Sequence, residues 1–283
     1  MSLFARKFDR EKITNTDKNV KKQKNKIKIY TRSMNIDLYN RAMFFVDLPY
    51  PKVRLINTTA DGYLYRLVMD EEADWIINID EDAFIYNMAR LKALLNFVIE
   101  NNYVNCGMPD GGVVHLRRLN PLVTNPYFNI LNTKEIRKKI SEFKPENYML
   151  HKEEYMTHYP TEILKGSYEF VYDSEPYYPF FVWLSQNFKT LYLSAENHLD
   201  GESTILLDNQ GNPFLIHAWY SRFYGNDYAH TKRINKVVCE CELSANKKYK
   251  VPLKETLKTN IKLYKNAVIK YLVQQKKKTI NIK

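Results

Sequence analysis

The chain has 283 residues, 45% hydrophobic and 27% charged, with a formal net charge of +11, so it is ordinary globular material long enough to bury a sizeable core. Its cysteines, Cys106, Cys239 and Cys241, include no tandem CxxC pair, which argues against a disulfide framework and a structural zinc site and fits a reduced, cytoplasmic setting. The positive charge sits at the ends: residues 247–283 carry 12 lysines and one acid, residues 1–26 carry nine Lys/Arg and three Asp/Glu, and residues 27–246 hold 22 basic against 28 acidic groups, which speaks against a nucleic-acid face on the folded body.

Residues 1–26, charged and poor in apolar side chains, read as a basic arm, and their charges lack the apolar stretch of a secretory signal. Ile27-Lys28-Ile29-Tyr30 alternates like a strand, Asn35 to Val46 has helical spacing, and Lys52 to Ile56 is a second strand closed by the turn Asn57-Thr58-Thr59-Ala60-Asp61-Gly62. A helix is expected over Tyr63 to Glu72. Trp75-Ile76-Ile77-Asn78-Ile79 is almost wholly apolar, the mark of a strand buried on both faces, and runs into Asp80-Glu81-Asp82. Phe84, Met88, Leu91, Leu95 and Val98 predict a helix directly behind it. Tyr103 to Met108 is a strand ended by Pro109-Asp110-Gly111-Gly112.

Asn120 to Asn132 reads as Pro- and Asn-rich loop, with Thr133 as cap of a helix to Phe143. Residues 145–172 yield no pattern. Ser174-Glu175-Pro176 opens a helix to about Gln186, Thr190 to Leu193 is a strand, and Phe214-Leu215-Ile216-His217 is a strand ending in histidine. Leu253, Leu257, Ile261, Tyr264, Val268 and Leu272 form one stripe of a long basic helix opened by Pro252. No run approaches the roughly 18 apolar residues of a membrane helix. The order of elements predicts an α/β domain with a mainly parallel sheet over 27–245, between the arm 1–26 and a basic helical tail, 246–283.

The acidic triplet carries the chemistry. Carboxylates at the C-terminal edge of a buried strand sit where open α/β sheets bind ligands. Three acids in a row repel one another unless a cation arrives, and Mg²⁺ or Mn²⁺ shared with substrate phosphates is the cation such a pair suits. The competing reading is an exposed acidic turn. A phosphatase of the haloacid-dehalogenase type also follows a strand with DxD, but that motif stands near the chain start with Thr or Val where this chain has Phe84.

The run from Ala73 to Asp82 resembles the DxD segment of GT-A fold glycosyltransferases. The resemblance implies a GT-A-like sheet and a metal-dependent transfer from a nucleotide sugar, expected to be UDP-linked, to a glycan or lipid-linked acceptor. It implies Asp82 as direct metal ligand, Asp80 at the ribose or a metal-bound water, and His217 completing the Mn²⁺ or Mg²⁺ site. Tyr30-Thr31-Arg32 falls where the family contacts nucleobase and ribose. Asp61, Asp110 and Gly111 are read as further donor contacts, the glycine at the strand exit because it lets backbone approach a sugar closely. Asp173 and Glu175 resemble the acidic pair holding the base of inverting members, although Ser174 separates them. Glu175 is the nearer match, and a retaining outcome stays open. Asp227 and His230 are a further polar cluster. For the basic tail, the residues leave open a core-packed stripe, an anionic membrane surface at the inner face, and, last, nucleic acid. The reading from another class is a non-catalytic membrane-surface or glycan-binding module.

Overall fold

The computed structural model describes residues 25–56 and 58–280. The expected arm, apart from its last two residues, and Asn57 of the expected turn lie outside them. In chain order the elements are β1 (Ile27–Arg32), α1 (Ile36–Phe45), β2 (Lys52–Leu55), α2 (Ala60–Val68), β3 (Trp75–Ile79), β4 (Ala83–Ile85), α3 (Met88–Glu100), β5 (Asn105–Pro109), β6 (Thr124–Leu131), α4 (Thr133–Lys139), α5 (Tyr178–Asn187), β7 (Thr190–Tyr192), β8 (Ala195–Asn197), β9 (Thr204–Leu207), β10 (Pro213–His217), α6 (Tyr228–Ala245) and α7 (Leu253–Ile280). Between α4 and α5 the chain makes only short 3₁₀ turns.

A six-stranded central sheet has the order β2-β1-β3-β6-β5-β7. Five strands run one way; β6 alone is reversed, antiparallel to both β3 and β5. The architecture is thus the expected α/β sheet flanked by helices, with one strand that the sequence reads as loop. The prolines and asparagines of 120–132 mislead because the asparagine amides find acceptors inside the sheet. Buried Asn129 and Asn105 both donate to the Thr124 hydroxyl at 3.1 Å, and Asn78 on β3 donates to the Tyr63 hydroxyl at 3.1 Å. These bonds offset part of the desolvation cost that makes Asn rare in an interior, while the Oδ1 atoms of Asn78 and Asn129 are buried without a partner among the described residues.

A second, antiparallel sheet of order β4-β10-β9-β8 was not legible. It also corrects the helix expected directly behind the triplet. Phe84 belongs to β4, opposite Ile216 of β10, and the helix starts only at Met88, with Asn87 accepting from the Arg90 amide at 3.2 Å. The helical spacing of Phe84 is overridden by pairing with a strand about 130 residues away in sequence. Likewise Asn132, not Thr133, caps α4, accepting from the Glu135 amide, while the Thr133 hydroxyl is buried on the Ala73 carbonyl. The expected helix at Tyr63–Glu72 forms one turn earlier because Thr59 caps it at the Gly62 amide. Helices α1 and α3 pack with the second sheet on one face, and α2, α4 and α5 on the other.

Helix α7 is fastened at its base and bare beyond it. Glu255, in the first turn, accepts from Arg41 Nε at 3.1 Å and Nη2 at 2.7 Å, and both side chains are buried. Asn266 donates to the Asn226 carbonyl at 3.0 Å. The apolar stripe Leu253, Leu257, Ile261, Tyr264, Val268 and Leu272 is 39% to 75% exposed, so the core-packed reading of that stripe is overturned.

Removing one partner of a buried pair leaves a charge uncompensated, which typically costs about 3–5 kcal/mol, whereas an apolar replacement of both is close to neutral. Arg41→Met is expected to lower the urea midpoint strongly, and Arg41→Met combined with Glu255→Leu to recover most of the loss. Equal midpoints for the two variants would refute the pair as the fastening of α7.

Candidate metal centre

The turn after β3 gives the three acids three different situations. The Asp80 amide donates to the Tyr127 carbonyl of β6 at 2.9 Å, and the Ala83 amide closes the turn on the Asp80 carbonyl at 3.2 Å. Glu81 points inward. Its Oε2 accepts from the Ser33 hydroxyl and the Asn35 amide, both at 2.7 Å, and Asn35 is also the cap of α1. Burial pushes the Glu81 carboxyl up, opposed by that amide and hydroxyl. The middle acid therefore ties the β1–α1 turn to the triplet.

Asp82 and Asp80 face the other way. Asp82 Oδ1 lies 3.2 Å from His217 Nε2, and Oδ2 accepts from the Ser221 amide at 3.1 Å. The contact follows from the second sheet: His217 ends β10 opposite Ala83 of β4, which places it one residue from Asp82 across the ladder. The imidazole is held by rings, stacked on Tyr127 at 4.2 Å and tilted against Trp219 at 4.0 Å, and its Nδ1 is buried with no partner among the described residues. Asp80 is half-buried, and its carboxylate makes no hydrogen bond or ion pair with a described residue. Burial, then the neighbouring Asp82 and Glu81, raise its pKa well above the usual aspartate range, with Arg32 opposing.

Asp80, Asp82 and His217 each offer a ligand atom, and the three atoms lie within 4.8 Å of one another. Two carboxylates and an imidazole suit Mn²⁺ and, less well, Mg²⁺. The Asp80 carboxyl, with no partner among the described residues, and the His217 Nε2 turned toward Asp82 are donors with capacity for a cation, so the residues fit the group.

The loop behind His217 is strained. Trp219 and Tyr220 are consecutive non-glycine residues with φ of 58° and 62°. Each such residue costs about 1–3 kcal/mol and persists only where its surroundings over-determine it. Here Arg233 of α6 donates to the Ala218 carbonyl at 2.6 Å and the Trp219 carbonyl at 3.1 Å, and the Trp219 indole donates to the Thr204 hydroxyl at 2.9 Å. The reversal turns the Ser221 amide onto Asp82.

The other expected residues divide. Arg32, at the end of β1, lies over the Tyr63 ring at 5.8 Å and lowers the pKa of both Asp80 and Asp61. Its Nε is buried without a partner among the described residues. Asp61, exposed in the first turn of α2, is held low chiefly by the Thr59 hydroxyl. Arg32, Asp61 and Asp80 thus form one polar group at the carboxyl edge of the sheet. The structure commits Tyr30 elsewhere, its hydroxyl donating to Asp70 at 2.7 Å beside Lys28, and the Thr31 side chain is buried against Met43.

Asp110, expected as a donor contact, is fully buried and saturated. It receives Arg117 Nε at 2.6 Å and Nη2 at 2.5 Å, with Asn125 and the Tyr178 hydroxyl of α5. Gly111 is required by its own loop: a Cβ there would lie 1.7 Å from the Leu119 carbonyl oxygen. The backbone approach foreseen for a sugar is made to Leu119 instead. Asp227 caps α6 at the His230 amide, and His230 stacks on Phe223 at 4.9 Å.

Half-buried Glu175 and exposed Asp173 lie just before α5, and neither carboxylate pairs with a described residue. The Tyr178 hydroxyl on Asp110 fixes the start of α5 at the exit of β5, so both acids precede a helix that starts at the same sheet edge as the Asp80, Asp82 and His217 cluster. Sequence reasoning missed Tyr127, Trp219, Ser221 and Arg117. A paired Arg117-Arg118 in an otherwise apolar and Gly-rich loop was the one signal for the last.

No family model and no curated protein matches the chain. Among solved structures it is similar to A197 from STIV, at 14% identity and a TM-score of 0.35 over 67% of this chain and 93% of that one. A glycosyltransferase involved in glycosylation of the major capsid of PBCV-1 matches at 13% identity and a TM-score of 0.28 over 55% and 88%. The mannosyltransferase PcManGT from Pyrobaculum calidifontis, in complex with GDP-Man and Mn²⁺, matches at 8% identity and a TM-score of 0.39 over 85% and 69%.

The raised Asp80 carboxyl fixes the sign of a pH effect. The metal-free fold holds this proton more tightly than the unfolded chain does, so the stability it contributes falls as pH rises from the ordinary aspartate range through the raised value. A cation must displace the same proton. Mn²⁺ is therefore expected to raise the melting temperature more at about pH 8 than at about pH 5. Asp80→Asn should raise the metal-free melting temperature at the higher pH and lose most of the Mn²⁺ gain. An identical Mn²⁺ increment in Asp80→Asn would remove this residue from the site.

Proposed function

We propose that the protein is a metal-dependent glycosyltransferase that moves a sugar from a nucleotide-sugar donor to an acceptor hydroxyl, with inversion at the anomeric carbon. The observation that carries the reading is the Asp80, Asp82 and His217 cluster at the carboxyl edge of the central sheet, with an unpaired carboxylate, Glu175, at the edge of the same sheet. The roles expected from the DxD likeness follow the same arrangement.

In this reading Asp80, Asp82 and His217 hold Mn²⁺ or Mg²⁺, which supplies charge neutralisation for the departing diphosphate. Arg32 and Asp61 flank the nucleoside, Arg32 with donors to spare for ribose or base oxygens. Glu175, or Asp173 in its place, accepts the proton of the acceptor hydroxyl as the new bond from oxygen to the anomeric carbon forms and the bond to the diphosphate oxygen breaks. The donor expected from the likeness is UDP-linked. The acceptor is a glycan or a lipid-linked sugar.

Helix α7 supplies a reason for a lipid-linked acceptor. Its exposed stripe is flanked by Lys254, Lys258, Lys262, Lys265 and Lys270, and its one acid, Glu255, is consumed by Arg41. A cationic amphipathic face of this kind suits an anionic leaflet, at about 1 kcal/mol per lysine near the surface. Among the described residues no helix is long and apolar enough to cross a membrane, so the contact is peripheral.

UDP with Mn²⁺ is expected to raise the melting temperature of the wild type by the linkage amount, about 2.7 kcal/mol at a hundredfold excess over Kd, and Asp82→Ala to abolish the effect. Glu175→Gln should keep the shift and lower kcat by about 10²–10⁴. A wild type indifferent to UDP, GDP and their sugars with Mn²⁺ leaves a non-catalytic module as the reading. For α7, Leu257→Glu with Ile261→Glu should release the protein from anionic vesicles without altering nucleotide binding. Unchanged co-sedimentation would end the membrane assignment.

A further inference from the structure

We infer that Arg117 reads the transferred sugar, as a specificity-determining residue between the metal centre and the base; the inference rests on the glycosyltransferase reading. An in-line displacement fixes where the sugar must be. The anomeric carbon would lie between the departing diphosphate, on the side of Asp80, Asp82 and His217, and the acceptor oxygen, which gives its proton to the base. Whatever surface joins the metal ligands to the base therefore flanks the sugar ring.

That surface can be followed contact by contact. His217 leans on Trp219 at 4.0 Å, and the Arg117 guanidinium lies over the Trp219 ring at 5.7 Å. Arg117 grips Asp110 with Nε and Nη2, and Asp110 also receives the Tyr178 hydroxyl from the first turn of α5, three residues after Glu175. The wall thus runs metal ligand, indole, guanidinium, carboxylate, base helix. Of these side chains the indole and the guanidinium are partly exposed, whereas His217, Asp110 and Tyr178 are buried.

The guanidinium is built for hydrogen bonding rather than for charge. Two of its nitrogens are spent on Asp110, which fixes the fork in plane, and Nη1 has no partner among the described residues although the side chain is 22% exposed. Its charge is cancelled by a fully buried carboxylate at 2.5 Å. A neutralised arm with two N–H groups to give, standing beside an aromatic face, matches the hydroxyl oxygens of a neutral sugar stacked on the indole. A free phosphate or a uronic carboxylate would want a cation not already paired.

The test compares nucleotides with and without their sugar on the intact protein. Isothermal titration in Mn²⁺ measures UDP and GDP, then UDP-glucose, UDP-glucuronic acid and GDP-mannose, on wild type, Arg117→Lys and Arg117→Gln. Lys keeps a cation against Asp110, so that variant remains folded even where Gln does not. The expected result is unchanged affinity for the bare nucleoside diphosphate and about a tenfold loss of the added affinity for the neutral nucleotide sugar. A neutral sugar should also be preferred to the uronate by the wild type and not by Arg117→Lys. If the wild type binds no nucleoside diphosphate with Mn²⁺, the underlying reading falls. If it binds them and the sugar increment survives in both variants, or if the wild type prefers the uronate, the assignment of Arg117 falls alone.

Discussion

Like charges that cannot separate organise this molecule. Three acids follow the buried strand β3 without a break, and the fold answers each differently. Glu81 is turned inward onto the Ser33 hydroxyl and the Asn35 amide, where two good donors replace water. Asp82 is given the Ser221 amide and the His217 ring. Asp80 is given nothing among the described residues. The second sheet exists in the right register for this purpose, since β10 pairs with the strand that grows directly out of the triplet and so delivers a histidine from 135 residues away.

The same logic of spent and unspent groups separates support from chemistry elsewhere. Asp110 is the most thoroughly hydrogen-bonded carboxylate near the edge of the sheet, and that saturation makes it a support. Glu175 and Asp80 carry no such partners among the described residues and are the groups with capacity left. Arg117 is half of each kind, anchored through two nitrogens and open at the third. Polar groups this deep are tolerated where they bond to one another, as the Asn105 and Asn129 amides do on the Thr124 hydroxyl.

What the sequence disclosed, and what it hid, follows from the range of the interactions. The strand β3, the acids after it and the terminal helix rest on local patterns, and they stand near where those patterns place them; α5 instead starts at Tyr178, uncapped by a side chain and with Pro179 rather than Pro176 in its first turn. The histidine at the end of β10 was visible because its strand is a compact apolar run. Strand β6 was hidden because its asparagine amides bond to the Thr124 hydroxyl of the same strand and to Asp110 beyond β5, which local sequence does not show. Phe84 was misplaced because a helical period over five residues and a strand of three look alike until the partner strand is known. Tyr30 and Asp110 were read as ligands because nothing local betrays that Asp70 and Arg117 engage them first. The positive-φ pair at Trp219-Tyr220 has no signature at all, lacking the glycine that normally announces such a turn.

That pair has a bearing on how the chain can change. Any β-branched residue at 219 or 220 meets a backbone it cannot easily adopt, while glycine or asparagine would fit it with less strain. Relaxing the loop by such a replacement would remove the indole that separates His217 from Arg117, or the ring beside it, along with the strain. Drift at these two positions is thereby confined to a narrow set of side chains, chosen by backbone shape on one side and by what the loop must hold on the other. A motif of that kind is written in torsion angles, and two chains can share it with no letters in common.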